Sequence, residues 1–294
     1  MRYQLENEVI RVEVDSFGAE VKSVKSVGDG QEYMWNGDPK YWGRTSPVLF
    51  PFVGAVRNKQ YRCGESVYSM GQHGFARDME FELERQEENR IWFVLSSDTE
   101  TLSKYPFAFR LHIGYELEAN ELHVFWAVDN TDDKPMYFSI GAHPAFLCPV
   151  HGEADKYGYG LKFGGLSDVL HYHENTPEGL SLAGDDRLTL VDGTVKFTPG
   201  FFEKYTYVAE GKQTGEVSLL DMAGDPYVTV TFDAPLFAIW SPEGKEASFV
   251  CIEPWYGRCD AVDFEGSISE RAYEQALAAG GTFHASYSMR FDQA

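Results

Sequence analysis

Polar and apolar residues alternate with a period of two along much of this chain. In segment 10–15, charged residues separate Ile10, Val12 and Val14. The same pattern recurs at 79–84, 111–118, 122–128, 228–232 and 287–291. Because successive side chains of a strand point to opposite faces, this alternation predicts antiparallel strands with one buried face. An aromatic content of 15% favours the same structure, since strands accommodate aromatic residues well.

Helical periodicity is scarce, and its best example is segment 268–277. Ser267 and Glu270 would form a capping box there, and Gly280 and Gly281 would end the helix. A parallel βαβ fold has no basis without helices that alternate with strands. We therefore expect an all-β protein, a large antiparallel β-sandwich with few short helices.

The organisation of the chain predicts one domain that spans residues 1–294. A large all-β unit commonly reaches this length, and no repeat or long linker interrupts the sequence. Segment 151–215 is richer in Gly, Asp and Glu, and we interpret it as an inserted region of loops and short strands. Alternation resumes after it, so a domain boundary there is the less favoured alternative.

The net charge of −21 limits the classes of partner. Nucleic acid binding requires clustered Lys and Arg, so it is not expected, and an anionic membrane surface is disfavoured. Apolar runs are too short to span a bilayer, and we identify no signal peptide. The four cysteines are scattered without a Cys-x-x-Cys motif, which is typical of a reduced cytoplasmic protein. Zinc binding by Cys251, Cys259 and a histidine is a weaker alternative.

His143 and Glu253 are the first candidates for chemistry. His143 ends an apolar run at 138–146, and Glu253 interrupts another at 249–257. A buried titratable group costs free energy unless it is paired, and an imidazole with a carboxylate can carry out acid/base catalysis near neutral pH. Two structural interpretations compete: a core histidine bonded to a carbonyl, and a strand-end glutamate paired with Arg258.

Two further polar groups lie in glycine-rich or apolar surroundings. Arg57 ends the apolar segment 47–58, where it is either a surface residue or a donor to substrate hydroxyls or a carboxylate. His73 lies between Gly71 and Gly74 on a turn, where a ligand can approach the backbone closely. His171 and His173 have a spacing that can bind a metal, but no third ligand is evident.

These segments resemble the aldose 1-epimerase (galactose mutarotase-like) family, and most closely its LacX-like branch. The resemblance runs from about residue 10 to the C-terminus, in family order. Its landmarks are Tyr41-Trp42, 47–51, 73–77, Asn130, 141–146, 251–255 and Asp260.

The resemblance implies a β-supersandwich with a sugar bound on its concave face. Glu253 matches the general base of the family, and His143 matches its general acid. The substrate-binding residues that it implies are Arg57, His73, Arg77, Trp255 and Asp260. Burial is expected to raise the pKa of Glu253 against the effect of a nearby Arg57, whereas His143 is expected near its ordinary pKa.

The resemblance implies an isomerase that interconverts the α and β anomers of a free hexose. No metal or organic cofactor is expected, the partner is a small sugar, and the protein is a monomer or homodimer. One departure is that segment 196–203 offers no clear equivalent of the family's hydroxyl-binding aspartate. The alternatives are a hexose-6-phosphate 1-epimerase, which would use Arg77 and Arg258, and a non-catalytic carbohydrate-binding protein.

Overall fold

Antiparallel strands make up almost all of the regular structure. The computed structural model describes residues 1–153, 155–203, 206–242 and 247–293. The strands are β1 (Arg2–Glu6), β2 (Ile10–Asp15), β3 (Glu20–Ser26), β4 (Val48–Leu49), β5 (Gln60–Cys63), β6 (Ser66–Ser69), β7 (Glu82–Gln86), β8 (Arg90–Ser96), β9 (Phe109–Glu118), β10 (Glu121–Asn130), β11 (Met136–Phe138), β12 (Ile140–Ala142), β13 (Ala145–Leu147), β14 (Gly160–Phe163), β15 (Val169–Tyr172), β16 (Asp186–Thr189), β17 (Thr194–Lys196), β18 (Tyr207–Glu210), β19 (Glu216–Leu220), β20 (Pro226–Phe232), β21 (Leu236–Trp240), β22 (Phe249–Tyr256), β23 (Gln275–Leu277) and β24 (Thr282–Phe291).

Helical structure in the described residues is limited to short pieces. They are α1 (Thr99–Lys104) and three 3₁₀ turns at Arg57–Lys59, Ala76–Asp78 and Ile268–Glu270. Asp98 caps α1 by accepting a hydrogen bond from the Thr101 N–H at 2.8 Å. No helix in these parts of the chain is long and apolar enough to cross a membrane.

Two large sheets form the sandwich. The first has nine strands in the order β17-β14-β19-β20-β24-β10-β9-β8-β7, and the second has six, with the order β18-β21-β22-β12-β4 and β13 also paired to β22. Val230 and Met289 of the first sheet share one hydrophobic cluster with Ile239 and Ile252 of the second. Alternation in the sequence therefore places one face of each sheet in a common core, and the predicted antiparallel sandwich is confirmed.

Segment 151–215 contributes to both sheets. Strands β14 and β17 lie at one edge of the nine-stranded sheet, and β18 lies at the edge of the six-stranded sheet. The short strands predicted for this segment are present. Its loops, including 173–181, reach the second sheet through a backbone pair between His173 and Val208.

The helix predicted for 268–277 is wrong beyond its first turn. Ser267 and Glu270 do form the predicted capping box, but the 3₁₀ turn ends at Glu270. Tyr273 then adopts a positive φ of 59°, which a helix does not tolerate, and strand β23 follows. Pairing of β23 with β11 outweighs the local helical preference.

Candidate active site

A cleft of about 360 Å³ opens beside the centre of the six-stranded sheet. Its size falls within the range of small-molecule sites. Polar and aromatic side chains from the sheet, from 42–44, from 72–77 and from the loop 175–179 form its walls. The structure brings together five of the predicted site residues in this cleft: His73, Arg77, His143, Glu253 and Trp255.

His143 meets Glu253 because of the way three strands pair. β12 pairs with the C-terminal half of β22, and β13 pairs with its N-terminal half. His143 lies in the short connection between β12 and β13, and it therefore faces Glu253 near the middle of β22. Its Nε2 lies 3.3 Å from Glu253 Oε2. Apart from this contact, Oε2 has no hydrogen-bond partner in the described part of the chain.

Burial drives both members of this pair toward their neutral forms. It raises the pKa of Glu253 well above its ordinary value, and the indole N–H of Trp255 acts in the opposite direction. Burial, with a further contribution from the positive charge of Arg77, lowers the pKa of His143 to about 3. The expected direction for Glu253 agrees with this structure, whereas the expectation of an ordinary pKa for His143 is wrong.

Two tryptophans fix the plane of the His143 ring. The indole of Trp42 is stacked on it, with centroids 4.6 Å apart and planes at 26°. Trp240 contacts the ring edge-on, at 5.4 Å and 84°. Trp42 also lines the cleft, and its stacking partner is the imidazole of His143.

His73 presents a defined hydrogen-bond donor to the cleft. The backbone N–H of Gly54 donates to His73 Nδ1 at 3.1 Å, so the neutral ring carries its proton on Nε2. Burial and the charge of Arg77 lower the pKa of His73 well below its ordinary value, which keeps the ring neutral. A side chain at the neighbouring Gly74 would lie 2.2 Å from the Phe50 carbonyl oxygen, so this turn requires glycine.

Two arginines lie side by side at one end of the cleft. Arg44 donates to Asp78 at 2.8 Å, and Arg77 donates to the Gln72 carbonyl at 2.7 Å. Burial, together with the adjacent charge of Arg44, lowers the pKa of Arg77 to about 10, so the Arg77 guanidinium remains protonated at neutral pH. The sequence indicated Arg77 but gave no local signal for Arg44, which lies in an irregular loop.

Arg57 and Asp260 lie outside the cleft. The Arg57 guanidinium donates to the Phe264 carbonyl at 3.1 Å and lies 3.3 Å from Glu265, in a neighbouring groove. Asn58, the next residue, adopts a positive φ of 57° within the 3₁₀ turn that follows the apolar segment. Asp260 accepts hydrogen bonds from the Arg57 backbone N–H and from the buried Arg271. Arg57 and Asp260 are therefore placed for structural contacts, not for contact with a ligand in this cleft.

The loop 173–181 supplies a cleft wall that the sequence did not indicate. Asn175 and Thr176 line the cleft. The thiol of Cys259 donates to Asn175 Oδ1 at 3.4 Å, which leaves the Asn175 amide N–H groups available to a ligand. His173 anchors the loop through Glu210 at 2.8 Å.

The other residues suggested for phosphate or metal binding have separate partners. Arg258 donates to Glu210 at 2.6 Å, so it is not paired with Glu253. His171 contacts Asp185 and His173 contacts Glu210, and the two histidines do not converge on one ion. Among the described residues, one group has metal-ligand geometry: His143, Cys251 and Glu253, whose ligand atoms lie within 4.8 Å of one another.

Comparison with known proteins defines the class of this protein. A family model described as aldose 1-epimerase matches residues 1–290. The plasmid-encoded LacX protein of Lactococcus lactis subsp. lactis is 32% identical over 280 residues, which cover 92% of each chain. This chain therefore belongs to the aldose 1-epimerase family, a family of sugar epimerases.

Solved structures share the whole fold. The galactose mutarotase related enzyme from Lactobacillus acidophilus has a TM-score of 0.93 and 33% identity, covering 100% of this chain and 98% of that chain. A galactose mutarotase-like protein from Lactobacillus casei ATCC 334 has a TM-score of 0.92 and 28% identity, covering 99% and 100%. The family and fold predicted from the sequence are confirmed.

Proposed function

We propose that this protein is an aldose 1-epimerase that interconverts the α and β anomers of a free hexose. The observation that supports this most directly is the contact of His143 with Glu253 at 3.3 Å on the wall of an open cleft. Two proton-transfer groups at this short distance can exchange protons with the two oxygens bonded to C1 of one sugar ring.

In the proposed mechanism, Glu253 is the general base and His143 is the general acid. Glu253 removes the proton from the C1 hydroxyl while His143 donates a proton to the ring oxygen. The C1–O5 bond breaks, its electron pair goes to O5, and C1 becomes an aldehyde. Rotation about C1–C2 then exposes the other face of the aldehyde. Reclosure returns both protons, so each group performs the opposite role in the second half of the cycle.

Without a bound sugar, the pair of His143 and Glu253 carries the single dissociable proton that this cycle needs. Its resting form is a protonated Glu253 beside a neutral His143, because burial disfavours both charges. Transfer of that proton from Glu253 to His143 across 3.3 Å gives the carboxylate and imidazolium of the first step. Hydroxyl groups of a bound sugar would donate hydrogen bonds to the buried carboxylate that this transfer forms. These hydrogen bonds would lower the free-energy cost of the transfer.

The remaining cleft residues are proposed to position the sugar. The Nε2–H of His73 is a fixed donor for a ring oxygen or hydroxyl, and its ring centroid lies 5.6 Å from that of His143. Arg77 and Asn175 offer further donors, and Trp255 closes the cleft beside Glu253. Arg57 and Asp260 have no part in this proposal, because their side chains lie outside the cleft.

A hexose 6-phosphate is a second candidate substrate. Arg44 and Arg77 bring two positive charges to the cleft, and Asp78, a carboxylate that contacts both, is half-exposed. This local excess of positive charge would suit a phosphate group. Arg258, the other arginine considered for this role, is committed to Glu210.

Anomer exchange measured by NMR tests the proposal and separates these substrates. Fresh α-glucose, α-galactose and their 6-phosphates would be compared with the intact protein and with the His143→Asn and Glu253→Gln variants. We expect exchange well above the spontaneous rate with the intact protein, and loss of that excess in both variants. Variants as fast as the intact protein would reject the assignment, and a strong preference for the phosphates would favour the second candidate. Sugar binding without exchange would indicate a non-catalytic protein.

A further inference from the structure

Cys251 is a third ligand-type side chain beside the proposed catalytic pair. It lies two residues before Glu253 on β22, so both side chains emerge on the same face of the sheet. Its Sγ lies within 4.8 Å of the ligand atoms of both His143 and Glu253. The acid/base mechanism does not use a thiol, so the position of this cysteine needs another explanation.

We propose that His143, Cys251 and Glu253 form a binding site for a borderline-soft divalent cation such as Zn²⁺, and that occupancy of this site switches off epimerisation. The inhibition rests on the proposed function, whereas the metal site itself does not. Imidazole nitrogen, thiolate sulfur and carboxylate oxygen together are a ligand set that zinc prefers.

The geometry fits a three-ligand site with one open position. A tetrahedral zinc ion with bonds of about 2.0 to 2.3 Å requires ligand atoms about 3.3 to 3.6 Å apart. His143 Nε2 and Glu253 Oε2 are already 3.3 Å apart, and Cys251 Sγ, within 4.8 Å of the ligand atoms of both, would have to approach them by up to about 1.2 Å to complete the set. Because His143 and Glu253 line the cleft, the fourth position faces the space where water or sugar would bind.

Occupancy would remove both proposed catalytic groups at once. Zn²⁺ would bind the Nε2 lone pair of His143, the Cys251 thiolate and the Glu253 carboxylate. The thiol proton and the carboxyl proton would leave to solvent. Glu253 would then be unable to accept the C1 hydroxyl proton, and His143 would have no Nε2 proton to donate.

Cobalt substitution and zinc inhibition test the proposal on the intact chain. Chelator-treated protein would be titrated with Co²⁺ and followed by absorption, and with Zn²⁺ and followed by anomer exchange. The Cys251→Ser variant removes the thiolate with little change in volume, and Cys63→Ser, at a more exposed cysteine, is the control. We expect a thiolate-to-cobalt charge-transfer band and reversible zinc inhibition in the intact protein and in Cys63→Ser. In Cys251→Ser we expect no such band and an inhibition constant at least about tenfold weaker, as befits loss of a direct ligand.

Three outcomes would overturn the proposal. They are a cobalt band that persists in Cys251→Ser, equal zinc inhibition in both variants, and a loss of activity on chelation, which would make the metal a resident cofactor. If the protein had no epimerase activity on any sugar, the cobalt spectrum would still decide whether the site exists. Failure of the metal site can thus be distinguished from failure of the proposed function.

Discussion

His143 Nε2 lies 3.3 Å from Glu253 Oε2, and burial favours the neutral form of both side chains. The pair therefore holds one proton between the pKa of His143, about 3, and the raised pKa of Glu253. Below that interval His143 is protonated as well, so the pair carries two dissociable protons, and above it Glu253 ionises and the pair carries none. Only the form with one proton contains both a base and an acid.

This arrangement predicts the pH dependence of catalysis. We expect kcat/KM to stay flat as the pH falls through 6.5, the ordinary histidine range, and to decrease only toward pH 3. It should also decrease at high pH, where Glu253 loses its proton. Anomer exchange, corrected for the spontaneous rate at each pH, measures this profile. An inflection near 6.5 in kcat/KM would show that His143 titrates as an ordinary histidine and would contradict the one-proton pair.

The Glu253→Gln variant should separate activity from stability. Glutamine has nearly the same shape but cannot ionise, so it removes the cost of keeping Glu253 protonated at neutral pH while it removes the base. We expect kcat to fall by about 10²- to 10⁴-fold, with a melting temperature at neutral pH no lower than that of the intact protein. Glu88→Gln, at an exposed position between β7 and β8, should leave both quantities unchanged. A lower melting temperature of Glu253→Gln would mean that the carboxyl group stabilises the fold.

The orientation of Asn175 leads to a prediction about substrate recognition. Cys259 occupies its Oδ1, so its amide N–H groups can donate to a sugar hydroxyl. A hydrogen bond of this kind contributes about 1 kcal/mol, so Asn175→Ala should lower kcat/KM by about fivefold or more, mainly through KM. Asn89→Ala, in the remote β7–β8 hairpin, is the control. A decrease confined to kcat would instead indicate that Asn175 acts on the proton-transfer groups.

Local pattern predicted much of this structure. Period-two alternation is a property of neighbouring residues, so segments such as 10–15 and 122–128 could be assigned to strands directly. His143 and Glu253 were visible because each is a titratable group in an apolar run. The contact between them could not be predicted from local pattern, because it depends on the pairing of both β12 and β13 with β22.

The errors arise where distant residues decide the local structure. Segment 268–277 has helical spacing, but Arg271 extends toward Asp260 and Glu274, and the chain pairs with β11 instead. Arg57 ends an apolar run just as a site residue would, but its guanidinium contacts Phe264 and Glu265, which are more than 200 residues away in the sequence. Arg44 belongs to no recognisable sequence pattern, and only its position beside Arg77 in the structure identifies it as a residue of the cleft.

The buried cluster around Arg271 predicts how stability depends on pH. Arg271 donates to Asp260 at 2.7 Å and to Glu274 at 2.8 Å, and Ser139 donates to Glu274 at 2.6 Å. Burial raises the pKa of Glu274 to about 7, although Arg271 opposes the rise. Since the folded state holds this proton more tightly than the unfolded state, its contribution is fully present below pH 4.5 and is lost as the pH rises through 7.

Chemical denaturation between pH 4.5 and 8 can isolate this effect in a Glu274→Gln variant. Glutamine does not titrate, so the difference in free energy of unfolding between the intact protein and the variant reports on Glu274 alone. As the pH rises from 4.5 to 8, we expect the free energy of unfolding of the intact protein to fall relative to that of the variant by up to roughly 3 kcal/mol. The exposed Glu88→Gln variant should show no such shift. If the difference for Glu274→Gln is constant over this range, burial does not raise the pKa of Glu274, and the prediction is wrong.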